Sequence, residues 1–238
     1  MMKKICLWSC PRNVSTALMY SFRSRHDMLV FDEPLYAHYL RVSQSIHPGR
    51  EDVLASQEND GNKVIQDLIL RNYKKHCFFK LMTHFLVDIN KDFLKEVTNV
   101  IFIRDPKEII FSYSKVIKSP KMSDIGIKMQ YDLFKDLDKT NNTPIVLDSR
   151  ILLQNPAVIL DKLCRLIGIP YFEEMLGWER GPKNEDGIWA KYWYDSVHNS
   201  TCFLPYKKVN IKLDSDQNDL YQESLPYYEF LTKKSIKI

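Results

Sequence analysis

Apolar residues in this chain fall into short dense runs separated by stretches with helical spacing. The runs Lys3–Ser9, Met28–Asp32, Cys77–Leu81, Val100–Arg104 and Pro144–Asp148 are rich in β-branched and aromatic residues. That content suits strands buried on both faces. Helical patterns occupy Ser15–Arg25, Leu35–Val42, Lys63–Tyr73, Phe85–Glu96, Lys107–Lys115, Asp124–Lys139 and Asn155–Leu166. The alternation predicts an α/β fold with three layers, a mainly parallel five-stranded sheet flanked by helices.

Several ends are legible. Ser15 is expected to cap the first helix with its hydroxyl. Asn155-Pro156 offers a cap followed by a first-turn proline, and Gly168 a stop. Beyond about residue 170 the chain turns irregular: Gly181-Pro-Lys-Asn-Glu-Asp-Gly187 reads as a loop. The charged tail from Tyr206 reads as one more surface helix. Residues 1–238 are expected to form one domain with a loop-rich C-terminal quarter.

Composition narrows the classes. With 45% hydrophobic and 27% charged residues the chain reads as globular. A net charge of +4 suits an anionic small ligand and is too weak and scattered to argue for nucleic acid. No apolar run approaches the ~20 residues of a membrane span. The run after Lys3-Lys4 is too short for a secretory core, so a cytoplasmic protein is expected. Cys6, Cys10, Cys77, Cys164 and Cys202 are odd in number and widely spaced, which predicts reduced thiols and neither a zinc site nor a disulfide framework. A homodimer stays open.

Two stretches carry chemistry. In Cys10-Pro-Arg-Asn-Val-Ser-Thr16 a strand turns into a helix, whose N-terminal amides and dipole form an anion site. The amides of Val14 to Ala17 are expected to wrap a phosphate or sulfate, aided by Arg12, Ser15 and Thr16. The loop lacks the glycines and lysine of the nucleotide-triphosphatase motif, which argues against an ATP–magnesium kinase. Cys6 and Arg12 match the cysteine-x5-arginine spacing of tyrosine phosphatases, but Cys6 sits inside an apolar strand. In Asn99-Val-Ile-Phe-Ile-Arg-Asp-Pro106 a buried strand ends at Arg104, and the following helix carries Ser112. Ligands in open α/β sheets bind at such carboxyl ends, and the planar arginine fork suits phosphate.

Together the two stretches resemble the PAPS-dependent sulfotransferases. Pro11-Arg12-Asn13-Val14-Ser15-Thr16 takes the place of the family's 5′-phosphosulfate loop. Arg104-Asp105-Pro106 with Ser112-Tyr113 takes the place of its 3′-phosphate motif. The resemblance implies a P-loop-containing nucleoside triphosphate hydrolase-like fold and PAPS as co-substrate, with PAP as product and no metal. It implies that Arg12, Asn13, Val14, Ser15 and Thr16 contact the phosphosulfate, and that Arg104 and Ser112 hold the 3′-phosphate. Arg12 stands where lysine is usual and Val14 where glycine is usual. A valine does not take positive φ cheaply, so an altered loop shape is expected. Arg180 and Lys183 loosely resemble the basic loop that covers the nucleotide in this family. The opening and the Trp-Ala-Lys-Tyr-Trp-Tyr-Asp run look most like a sulfotransferase-like subgroup labelled by association with branched-chain aminotransferases. No lysine here has a recognisable pyridoxal-phosphate context.

The reaction this implies is transfer of a sulfuryl group from PAPS to a hydroxyl of a small-molecule or carbohydrate acceptor. Two residues qualify as its base. Glu33 follows the second strand in an Asp-Glu-Pro turn, as in carbohydrate-type sulfotransferases. His84 follows the third strand, as in cytosolic ones, with Lys80 four residues before it rather than two. Lys80 is read either as steadying the leaving phosphate or as solvent-exposed. Tyr192, Tyr194 and His198 are candidates for an acceptor pocket. The rival class is a nucleotide- or phosphate-binding protein without catalysis.

Overall fold

The strand Lys4–Ser9 (β1) sends Ile5 and Leu7 into one apolar core and Cys6 and Trp8 into another, all four fully buried. Both faces are covered because the sheet is entirely parallel and its crossovers lay helices on each side. The computed structural model describes residues 2–115, 119–208 and 210–238. The other strands are β2 (Met28–Asp32), β3 (His76–Met82), β4 (Thr98–Ile103) and β5 (Ile145–Asp148), in the order β2-β3-β1-β4-β5. Register pairs Cys6 with Phe79 on one side and with Asn99 on the other.

Helices of eight residues or more are α1 (Ser15–Arg23), α2 (Tyr36–Ser43), α3 (Pro106–Tyr113), α4 (Ile127–Lys139), α5 (Pro156–Ile167) and α6 (Ser215–Lys234). One layer packs Leu18 and Phe22 of α1 and Leu160 and Leu163 of α5 on Ile5, Leu7, Phe78 and Phe102. The opposite layer packs α2, α3, α4 and α6 on Trp8, Phe79 and Ile101. Chain direction reverses about β1, so the carboxyl ends of β1, β3 and β4 open a crevice at the centre of the sheet.

All five predicted strands are present within two residues of their expected ends. The helices differ more. The predicted helix Lys63–Tyr73 starts earlier, where the Asp60 carboxylate accepts from the amides of Asn62 and Lys63. It widens over Ile65–Ile69, with the Leu70 amide donating to Ile65 O at 2.8 Å, and stops before Tyr73. The predicted helix Phe85–Glu96 is two 3₁₀ turns, Thr83–Phe85 and Lys91–Glu96. Asp88 between them takes a left-handed φ of 48°, and Val87 O accepts from His38 Nε2 at 2.8 Å. Asp124–Lys139 breaks at Gly126, where φ is +71° and a Cβ would stand 3.2 Å from that of Cys10. Only glycine lets α4 begin that close to the loop after β1.

Ser15 does not cap α1. Val14 holds the cap position without a side-chain bond, and Ser15 is the first helical residue. Pro156 opens α5 and Gly168 closes it at φ 81°, as expected, but Asn155 makes no capping bond through its side chain. The tail from Tyr206 is more than a surface helix, although Val209 lies outside the described residues. Its helix α6 buries Leu220, Ser224, Tyr228 and Leu231. Tyr228 donates to Asp148 at the end of β5, at 2.8 Å. Cys6, Cys10, Cys77 and Cys164 are buried free thiols, and Cys202 is an exposed one. Among the described residues no helix is long and apolar enough to cross a membrane.

Candidate active site

The loop after β1 is fixed from both sides. Thr83 Oγ1, just past β3, donates to Ser9 O at 3.0 Å. Asn13 Nδ2 donates to Phe102 O of β4 at 2.8 Å. The left-handed conformation expected to trouble Val14 falls instead on Arg12, at φ 57°. Val14 sits at φ −74°. A non-glycine residue held left-handed, as Arg12 is, costs on the order of 1–3 kcal/mol and persists where neighbours over-determine it. The amide of Val14 is taken by Asn13 Oδ1 at 2.9 Å. The amides of Ser15, Thr16 and Ala17 head α1 with no acceptor among the described residues. The anion site is therefore one residue shorter than the sequence reading, and the Asn13 side chain braces it.

Across the crevice, Arg12 Nε donates to Ser112 Oγ at 3.1 Å, and Arg104 donates through Nη1 to Arg12 O. Glu108 holds the other edge of Arg104, accepting from its Nε at 2.8 Å. Burial and the nearby Arg104 charge lower the pKa of the Arg12 guanidinium. Arg104 is paired with Glu108, whereas Arg12 bonds the neutral Ser112 and has no carboxylate partner among the described residues, which leaves net positive charge suited to an anion. Arg12, Ser15, Thr16, Arg104 and Ser112 line one end of a cavity of about 380 Å³, within the usual range for small-molecule sites.

Glu33 and His84 line the same cavity. Glu33 is left-handed at φ 46° and buried. Its Oε1 accepts from Lys80 Nζ at 2.6 Å. Lys80 is only 1% exposed, which removes the reading of a solvent-facing lysine. It also donates to Asp32 Oδ1 at 2.9 Å and to the hydroxyl of Tyr194. Tyr194 donates to Asp32, and its oxygen accepts from Trp189 Nε1 at 3.1 Å. Burial raises the Glu33 carboxyl above the usual range, against the pull of Lys80 and with the push of Asp32. For Lys80, burial favours the neutral amine, but Asp32 and Glu33 outweigh it and raise its pKa.

His84 packs its ring on Tyr39 and Phe85 at centroid distances of 4.7 and 4.9 Å. Its Nδ1 is buried with no partner among the described residues. Burial, with the charge of His47, pushes its pKa down to about 3. Tyr36, Trp189 and Trp193 complete this aromatic end.

Several predicted residues stand elsewhere. Arg180 bonds Asn199 Oδ1 at 2.6 Å, and Lys183 bonds Gly181 O at 2.8 Å; neither lines the cavity. Tyr192 is exposed beside Gly49, and His198 pairs with Asp186 at 3.0 Å. Asp32, the counter-charge of Lys80, was missed by sequence reasoning. A lysine inside the apolar run Phe78-Phe79-Lys80-Leu81 is the signal that would have found it, since a buried cation requires a carboxylate. The phosphatase reading fails because Cys6 is sealed in β1 and burial alone raises its thiol pKa far above ordinary.

The sulfotransferase domain family matches residues 2–235. The chain belongs to that family. Its five-stranded parallel sheet flanked by helices is the fold on which that domain is built here. It is 37% identical over 226 residues to the Arabidopsis thaliana branched-chain-amino-acid aminotransferase-like protein 1, and 35% identical over 232 residues to protein 2 of the same name. These alignments take in 94% and 97% of this chain but 40% and 41% of the relatives, so the chain spans about two fifths of their length. The shared stretch is the part that matches the sulfotransferase domain. Among solved structures, the sulfotransferase domain from the curacin biosynthetic pathway superposes with a TM-score of 0.53 at 12% identity, covering 94% of this chain and 97% of that one. The mouse sulfotransferase SULT7A1, crystallised with PAP, gives 0.52 at 12% identity, covering 98% and 84%. The Alicyclobacillus acidocaldarius sulfotransferase gives 0.51 at 9% identity, covering 99% and 98%.

Proposed function

We propose that this sulfotransferase takes its sulfuryl group from PAPS and passes it to the hydroxyl of a small-molecule acceptor, with Glu33 as base. The observation that carries this reading is that Arg12, Arg104 and Ser112 are bonded in one cluster and line the same cavity as Ser15, Thr16 and Ala17, whose amides have no acceptor among the described residues. That set fits a ligand with two anionic groups. The amides of Ser15, Thr16 and Ala17, with Arg12, would hold the phosphosulfate. Arg104 and Ser112 would hold the 3′-phosphate.

PAPS supplies an activated sulfuryl group on a phosphate leaving group. Glu33 takes the acceptor proton while the acceptor oxygen forms its bond to sulfur. The bond from sulfur to the phosphate oxygen breaks, and PAP leaves with that electron pair. Glu33 suits the task because Oε1 is held by Lys80, Oε2 has no partner among the described residues, and burial strengthens it as a base. The aromatic end of the cavity supports a small acceptor with an apolar body.

The test is thermal unfolding with PAP, AMP or ATP–magnesium, on the wild type and on Arg104→Ala. At a hundred times its Kd, PAP adds ~2.7 kcal/mol, or roughly 5–10 °C for a chain of this size. A shift with PAP, little with AMP, and its loss in the variant support the reading. No shift with PAP, or a larger one with ATP–magnesium, overturns it.

A further inference from the structure

A histidine that acts as general base ends the step as imidazolium, with an N–H on each nitrogen. The nitrogen that does not face the substrate then needs an acceptor, which in working histidine bases is a carboxylate or carbonyl. His84 has none. Its Nδ1 is sealed among Tyr39 and Phe85 with no partner among the described residues, while the imidazole lines the cavity. Proton uptake there would bury an unpaired N–H bearing part of a positive charge. His47, the nearby titratable group on the cavity wall, bonds Tyr36 through Nδ1 at 2.7 Å and supplies no counter-charge.

The same arrangement suits another role. With its bare lone pair on the sealed Nδ1, a neutral ring carries its one proton on Nε2, the nitrogen left to meet a ligand. We propose that His84 is a neutral hydrogen-bond donor that seats the acceptor hydroxyl, donating from Nε2–H to the oxygen whose own proton goes to Glu33. The hydroxyl is then satisfied in both directions, once as acceptor and once as donor. His84 selects acceptors whose hydroxyl reaches this point, and it exchanges no proton. The depressed pKa of the ring agrees with this. The assignment rests on the sulfuryl-transfer reading, but its first test does not depend on PAPS.

That test is NMR of the histidine-ring nitrogens in the full chain, titrated from about pH 5 to about pH 8. The His84 signals are assigned by their loss in His84→Gln. The expected result is a ring that stays neutral throughout, with its proton on Nε2. A titration inside this window, or a proton on Nδ1, overturns the proposal.

The second test uses PAPS and phenol as the probe pair. Glutamine extends an N–H to where Nε2 stands, and asparagine falls one methylene short. His84→Gln is expected to keep transfer within about tenfold of wild type, and His84→Asn to lose about a hundredfold or more, the usual effect of removing a positioned donor. The acid limb of the pH profile is expected to persist in His84→Gln, because Glu33 carries it. Equal loss in both variants, with disappearance of that limb, overturns the proposal. PAP binding distinguishes a failure here from a failure of the sulfotransferase reading.

Discussion

Arg12 donates through Nε to the hydroxyl of Ser112, 100 positions further along the chain, at 3.1 Å. The contact joins the loop after β1 to the second turn of α3, so the two halves of the anion site hold each other at a set spacing. Removing the hydroxyl in Ser112→Ala is expected to weaken PAP about tenfold, the effect of losing one hydrogen bond to a charged group. Stability without ligand stays within about 0.5 kcal/mol, because the pair is solvent-exposed. Isothermal calorimetry with PAP, beside denaturant unfolding, checks both numbers. A loss of stability without a loss of affinity would place Ser112 outside the ligand site.

Glu33→Gln keeps the shape of the cavity and removes the proposed base. Sulfuryl transfer is expected to fall by about 10²–10⁴, while PAP affinity stays within about threefold. Initial rates across a set of hydroxyl acceptors, paired with PAP binding, measure the two effects separately.

The same substitution has a signature in stability. Burial raises the Glu33 carboxyl in the folded state, so the folded chain binds its proton more tightly than the unfolded chain. The stability tied to Glu33 is present below its ordinary pKa of 4.5 and is lost as pH rises through the raised folded value. Relative to wild type, Glu33→Gln should therefore gain stability as pH rises above that ordinary value. Urea unfolding at a series of pH values reads the difference. A constant offset would contradict the direction of the shift.

Lys80 neutralises two buried carboxylates, Asp32 and Glu33. Lys80→Met fills a similar volume but leaves those charges without a partner, and is expected to destabilise the chain by about 3–5 kcal/mol at neutral pH. The loss should shrink as pH falls, because protonation relieves the repulsion between the carboxyls. Chemical denaturation at neutral and mildly acid pH gives the comparison. An equal loss at both would show that packing, and not charge, dominates at this position.

Tyr194→Phe deletes one hydroxyl that bonds Asp32, Lys80 and Trp189. A cost of about 1–3 kcal/mol follows from leaving these groups under-satisfied. The loosening should concentrate in residues 187–198, where hydrogen exchange measures it. Uniform exchange along the chain would mean that the hydroxyl does not fasten this segment.

Much of the framework was legible because the strands are buried on both faces, and runs such as Val-Ile-Phe-Ile103 leave few other readings. The rim residues Glu33, His84 and Arg104 followed from their places just beyond strand ends. Long-range electrostatics was not legible. Nothing local to Lys80 points to Tyr194, 114 residues away, and Asp32 reads as an ordinary strand end. The loop chemistry was half legible: its anion-binding character was clear, but the left-handed turn fell on Arg12 because Asn13 anchors the next residue to β4. Where Arg180 and Lys183 stand was not legible, because a basic, glycine-containing loop reads alike whether it faces the crevice or, as here, bonds to its own segment.

The contact between Lys80 and Tyr194 also bears on how the chain is made. A ribosome delivers Asp32, Glu33 and Lys80 long before Gly187 and Tyr194, which complete the shell around Asp32. Until residues 187–194 emerge, Asp32 lacks the Gly187 amide and the Tyr194 hydroxyl that it accepts from in the folded chain. The polar shell around Lys80 can thus be completed only after residue 194 has been made, and the order of synthesis alone delays the desolvation of this lysine.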